Sequence, residues 1–133
     1  MKNFINFMTG TVLTGVLYLL GGWDIALQTL LIVMALDYIT GVCKAIYNKK
    51  LNSTISFKGI VKKIGYIIMV AVAVELDTIT GGTGAIRTLV IYFFVANEGI
   101  SIVENWGSMG LPLPQKIIDV LEQLKSENNP KSE

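Results

Sequence analysis

The sequence predicts an all-α integral membrane protein, with about four transmembrane helices and a C-terminal amphipathic helix. Three observations predict it. First, 52% of the 133 residues are hydrophobic and only 16% are charged, where a soluble domain is about a quarter charged. Second, the apolar residues come in blocks of near membrane-crossing length, at 4–20, 25–46, 61–79 and 85–105. Third, four crossings put Lys2, Lys44, Lys49, Lys50, Lys58, Lys62, Lys63, Lys116, Lys125 and Lys131 on one side and leave Arg87 alone near the other. The positive-inside rule makes the lysine side cytoplasmic, so both termini are expected in the cytoplasm.

The block at 4–20 is at the short end for a span and either crosses or lies in the interface. Gly10/Thr14 and Thr11/Gly15 give it small-xxx-small spacings that allow close helix approach. No small-x-small cleavage pattern precedes Gly21-Gly22-Trp23, so a retained anchor is expected rather than a cleaved signal. Gly21 to Asp24 reads as a tight turn, with Trp23 at headgroup level and Asp24 capping the next helix. The block at 25–46 holds ten Leu, Ile and Val residues around Asp37. An Asp at mid-helix costs about 2.5–3.5 kcal/mol on insertion scales, against roughly 3–6 kcal/mol gained from those ten, so insertion survives. The polar stretch 48–63 reads as a basic loop at the membrane surface, carrying Lys49, Lys50, Lys58, Lys62 and Lys63. Topology accounts for its charge without nucleic acid, and anionic headgroups suit it. Glu75 and Asp77 close the third block, Gly81 to Gly84 turn the chain, and Asp77 with Arg87 is expected to form a local ion pair. The fourth block ends at the Gly- and Pro-rich stretch 107–114. An amphipathic helix is predicted over 115–125, then a polar tail over 126–133; residues 1–125 form one membrane domain.

Two helices carry polar stripes. Asp37, Thr40, Gly41, Lys44 and Asn48 lie within an arc of about 100°, and Arg87, Asn97, Glu98, Ser101, Glu104 and Asn105 within roughly 120°. The stripes could pair inside one bundle as polar glue, or meet neighbouring subunits or water. The second reading is preferred, because four helices are too few to hide both stripes. The candidate pore-lining or interprotomer residues are therefore Asp37, Thr40, Gly41, Lys44, Asn97, Glu98, Ser101, Glu104 and Asn105. Enzyme chemistry is not expected. One cysteine, Cys43, and no histidine leave no Ser-His or Cys-His pair and no Cys/His metal cluster. Gly81-Gly82-Thr83-Gly84 lacks the Lys-Ser/Thr of a P-loop. No cofactor is implied.

Several motifs together resemble a known family. They are Leu36-Asp37-Tyr38-Ile39-Thr40-Gly41 with Lys44-Ala45, then Ser56-Phe57-Lys58-Gly59-Ile60 with Lys62-Lys63. Asn97-Glu98-Gly99-Ile100-Ser101-Ile102, Glu104-Asn105, and Gly110, Pro112 and Pro114 complete the set. The chain resembles the toxin-secretion/phage-lysis holins, small membrane proteins of phages and prophages of Gram-positive bacteria. The resemblance covers about 25–125. It implies a homo-oligomer in the host cytoplasmic membrane that opens holes suddenly, lets a soluble endolysin reach the wall and so times lysis; some members are proposed to export toxins. The alternatives from other classes are a small ion- or proton-conducting channel subunit and a scaffold that recruits a soluble partner through the 115–125 helix.

Overall fold

The structure, a computed structural model, describes residues 1–127. Five helices follow in order: α1 (Lys2–Leu19), α2 (Ile25–Tyr47), α3 (Ser53–Thr80), α4 (Ala85–Ser108) and α5 (Gln115–Glu127). No strand occurs among the described residues. Asp24 and Asn52 start α2 and α3 as expected of short polar caps: Leu27 N–H donates to Asp24 Oδ1 at 2.9 Å and Thr54 N–H to Asn52 Oδ1 at 2.8 Å. The polar tail expected over 126–133 lies outside the described residues from 128 on; α5 takes its first two positions.

α2, α3 and α4 pack together around Leu27, Leu30 and Met34 of α2, Tyr66 and Val70 of α3, and Ile91 and Phe94 of α4. The Tyr66 and Phe94 rings stack with centroids 4.0 Å apart, which adds to the area they bury. Polar contacts fix the directions. The start of α4 meets the start of α2 and the end of α3, while the middle of α4 meets the middle of α2 and the first half of α3. Hence α2 and α4 are parallel and α3 runs against both. α1 buries none of its own residues.

The outside of these helices is apolar. Ile32, Leu36 and Ile39 of α2, Ile64 and Ile68 of α3, and Leu89, Tyr92 and Phe93 of α4 are all exposed, whereas Asp77, Arg87, Glu98 and Asn105 are buried. Charge inside and hydrocarbon outside is the distribution a bilayer selects. α2 (23 residues) and α4 (24 residues) are long and apolar enough to cross a membrane. α3 has 28 residues, but Lys62 and Lys63 at one side and Glu75 and Asp77 at the other leave only 64–74 uncharged between them. α1 opens on Lys2 and Asn3 and carries Asn6.

The structure corrects the basic loop expected over 48–63. The connection is short, because α3 already begins at Ser53. Lys49 and Lys50 lie in it, while Lys58, Lys62 and Lys63 are helical. Only 14% of the Lys63 side chain is exposed, so Lys63 does not belong to the surface. The sequence signal that misled was the density of lysine. The physical reason for the outcome is phase: Lys63 shares the inward stripe of Tyr66, Val70, Ala73 and Asp77.

Gly21 is needed where it stands. Its φ is +84°, and an added Cβ would lie 2.6 Å from Arg87 Nε and 2.8 Å from its Cδ. Gly21→Ala therefore meets both a left-handed backbone cost of about 1–2 kcal/mol and a collision with the best-bonded side chain of the bundle. Thermal unfolding in detergent is expected to shift down for Gly21→Ala. Gly10→Ala, with open space around the added carbon, should unfold at or above the wild-type temperature.

Candidate functional site

The inward face of the bundle carries two polar layers. The deeper one is built on α2, α3 and α4 together. Lys63 Nζ donates to Asp37 Oδ2 at 2.6 Å and also to Glu98 Oε2. Glu98 is only 1% exposed, so its one strong partner comes from α3. Two carboxylates share one ammonium, and Asn105 takes up remaining acceptors. Its Nδ2 donates to Asp37 Oδ1 at 3.3 Å and to Thr40 Oγ1 at 3.1 Å. Thr40 in turn donates to the Leu36 carbonyl at 2.9 Å. No buried side-chain nitrogen or oxygen among the described residues lacks a partner, which is the condition for holding charge away from water.

The second layer joins the start of α4 to the turn before α2. Arg87 Nη1 and Nη2 donate to Asp24 Oδ2 and Oδ1 at 2.7 and 3.1 Å, the two-pronged pairing that suits a guanidinium. Its Nε donates to the Leu20 carbonyl at 2.6 Å and Nη2 to the Gly22 carbonyl at 3.2 Å. The local ion pair expected between Asp77 and Arg87 is thereby corrected: among the described residues, the Arg87 guanidinium pairs with Asp24. Asp77 accepts instead from the main-chain N–H groups of Ile86 and Arg87 at 2.9 and 2.8 Å. The open N-terminal amides of α4 attract that carboxylate, and Gly84 at the N-cap offers no side chain to compete.

The Arg87 guanidinium bonded to Asp24 holds the Asp24 carboxyl below its ordinary range. A depressed carboxylate stabilises the fold above its unfolded-state pKa, and that contribution is lost as pH falls through the folded value. The Asp24 side chain is 47% exposed, so the pair contributes on the order of 1 kcal/mol. Unfolding temperature is expected to be flat from pH 7 to 5 and to drop in more acid buffer. Asp24→Asn, which keeps the helix cap, should flatten that acid limb; an unchanged limb would assign it to other groups.

Of the residues singled out from the sequence, Asn105 bonds directly to Asp37 and Thr40, and Glu98 is joined to Asp37 through Lys63. Gly41 approaches Asn105, whose Nδ2 would be 3.7 Å from an added Cβ. Lys44 and Ser101 line a cleft beside them, of about 350 Å³, between the end of α2 and the start of α3. Glu104 is exposed and Asn97 half-buried. Sequence reasoning missed Lys63 as the shared partner of both carboxylates and Asp24 as the partner of Arg87. The first was open to discovery by continuing the Tyr66/Val70/Ala73 stripe back one turn. The second spans 63 residues and leaves no periodic trace.

Helices with an apolar outside and a fully bonded charged interior define a small helical membrane protein. Residues 14–126 match the model of the bacteriophage holin family, and the chain belongs to that family. It is 44% identical over 131 residues to a 14.9 kDa protein of the nagH 3′ region of Clostridium perfringens, covering 96% of this chain and 99% of that one. It is 37% identical over 107 residues to a protein of Bacillus phage phi105 named probable holin, covering 80% and 79%. A Bacillus subtilis protein, YqxH, is 36% identical over 124 residues, covering 93% and 86%. No solved structure matches the chain.

Proposed function

We propose that this protein is a holin that gathers in the host cytoplasmic membrane, oligomerises and opens holes through which a soluble endolysin reaches the cell wall. Family membership supports the class of activity. The observation that carries the mechanism is Glu98, a carboxylate fully buried in a membrane-length helix and bonded to Lys63. In the resting protomer the polar stripes of α2 and α4 are closed on each other through α3, leaving an apolar outside that lipid accepts. In a hole, the same groups would face neighbouring protomers or water, where exposing them costs little. Asp37, Thr40, Gly41, Lys44, Asn97, Glu98, Ser101 and Asn105 are the residues proposed to make that exchange, with Glu104, already exposed, beside them.

The topology that goes with this reading has four crossings, by α1 to α4, and cytoplasmic termini. For α1 and α3 the crossing rests on charge placement. Lys2 and the 44–63 lysines then share the cytoplasmic side, and Arg87 lies at the other. Ring closure would need a head-to-tail interface that repeats with rotation.

Inducible expression in bacteria, with and without an endolysin lacking its own signal, tests the function. Abrupt lysis only when both are present is the expected result. Slow depolarisation with no passage of the folded enzyme would favour a small ion channel instead. Deleting 115–127 separates the scaffold alternative: a holin of this kind should still insert and lyse, with altered timing, whereas a recruiting scaffold would insert and lose all effect.

A further inference from the structure

We infer that the cleft between the end of α2 and the start of α3 is a binding site for the phosphate headgroup of an anionic phospholipid. The inference rests on reading α2 as a span, and it adds a ligand to the proposed function. The cleft is of about 350 Å³, within the range of ligand sites. Lys44 stands on its α2 wall and Lys50 at its rim, with Asn52 and Ser56 on the α3 wall. Among the described residues neither Lys44 nor Lys50 pairs with a carboxylate. The Asp37 carboxylate and the Lys63 ammonium at the floor are already bonded to each other. Asn52 uses its side-chain oxygen to cap α3, which leaves its amide N–H groups as donors.

The chain takes a sharp turn to place Lys50. Lys49 adopts a left-handed φ of 56°, a conformation usually left to glycine. Lys50 N–H then folds back to the Ala45 carbonyl at 2.8 Å. That reversal ends α2 and returns the next lysine to the cleft. A lone lysine in the last turn would be explained by the helix dipole. Two ammonium groups facing one cleft, neither paired with a carboxylate among the described residues, are not explained that way.

Lipid is the occupant because the cleft has apolar as well as polar walls and sits at the end of a membrane-length helix. Val42, Ala45 and Ile55 line it, offering contact to a glycerol backbone. Tyr47, Phe57 and Trp106 are exposed at the same end of the helices, as aromatic residues are at the edge of a bilayer. Basic pockets between helices at the cytoplasmic face suit anionic headgroups.

The test is native mass spectrometry of the full-length protein in detergent, titrated with dioleoyl-phosphatidylglycerol, dioleoyl-phosphatidylcholine or inorganic phosphate. The wild type should retain one phosphatidylglycerol per chain in preference to phosphatidylcholine. Lys44→Gln/Lys50→Gln should bind it about 30-fold more weakly. Lys44→Arg/Lys50→Arg and the equally charge-depleted Lys58→Gln/Lys62→Gln should stay within about threefold of wild type. Equal retention of the two lipids overturns the proposal. So does equal loss in both Gln variants, or displacement of the lipid by inorganic phosphate at tenfold excess. Circular dichroism checks that each variant is folded, and the Arg variant tests the charge even if the Gln variant is not. The readout is lipid retention alone, so its failure leaves the lysis assay to judge the holin reading separately.

Discussion

Lys63→Met is expected to empty the membrane of folded protein and to abolish lysis. The substitution keeps the length and apolar stem of the side chain and removes only its charge. It leaves Asp37 and Glu98 facing one another on parallel helices with no cation between them. Breaking a buried pair by deleting one partner costs about 3–5 kcal/mol, a large share of the roughly 5–15 kcal/mol that holds a folded domain together. Here two pairs break at once. The measurement is membrane-fraction abundance together with thermal unfolding in detergent. Lys63→Met/Asp37→Asn/Glu98→Gln removes all three charges and should recover much of the lost stability, since a neutral hydrogen-bonded layer carries no unpaired charge. Wild-type abundance and lysis in the single variant would mean that the triad does not hold the resting fold.

Arg87→Met comes next in expected effect. The guanidinium holds both Asp24 oxygens and the carbonyls of Leu20 and Gly22, so it stitches the end of α1 and the start of α2 to α4. Each buried polar group left without its partner costs about 1–3 kcal/mol, and the Leu20 carbonyl belongs to a residue only 5% exposed. A total loss of about 2–4 kcal/mol is expected on that scale. Arg87→Lys should recover only part of it, because an ammonium cannot span both Asp24 oxygens and two carbonyls. The check is unfolding temperature for both variants. A lysine variant as stable as wild type would show that charge alone, not the fork, is what the site uses.

α1, α2, α4 and the body of α3 were legible as blocks of apolar residues and α5 by its amphipathic period, but the first turns of α3 from Ser53 were not. The polar stripes were legible because residues at helical spacing share a face, so Asp37 and Glu98 stand out from spacing alone. What periodicity cannot carry is the identity of a partner on another helix. Lys63 sits next to Lys62 and five residues after Lys58, and that density reads as a solvated loop. Its inward turn is decided by the packing of Tyr66 and Val70 below it. Four helices look too few to hide both stripes when Lys63 is read as part of a basic surface loop; with Lys63 turned inward, Glu98 and Asn105 are satisfied within one chain. Asp77 and Arg87 are near in sequence and carry opposite charge, yet the main-chain amides at the start of α4 take the carboxylate and free the guanidinium for Asp24.

The proposed function requires charges that are paired within each resting protomer and released only on assembly. Lys63→Glu, Glu98→Lys and the double exchange in one chain test that most directly, each scored for lysis with a signal-less endolysin. Each single variant puts like charges in contact and should fail. The double exchange keeps two carboxylates around one ammonium and should lyse, while the two single variants expressed together should not. Lysis by the co-expressed pair would place the pairing between protomers and contradict that prediction.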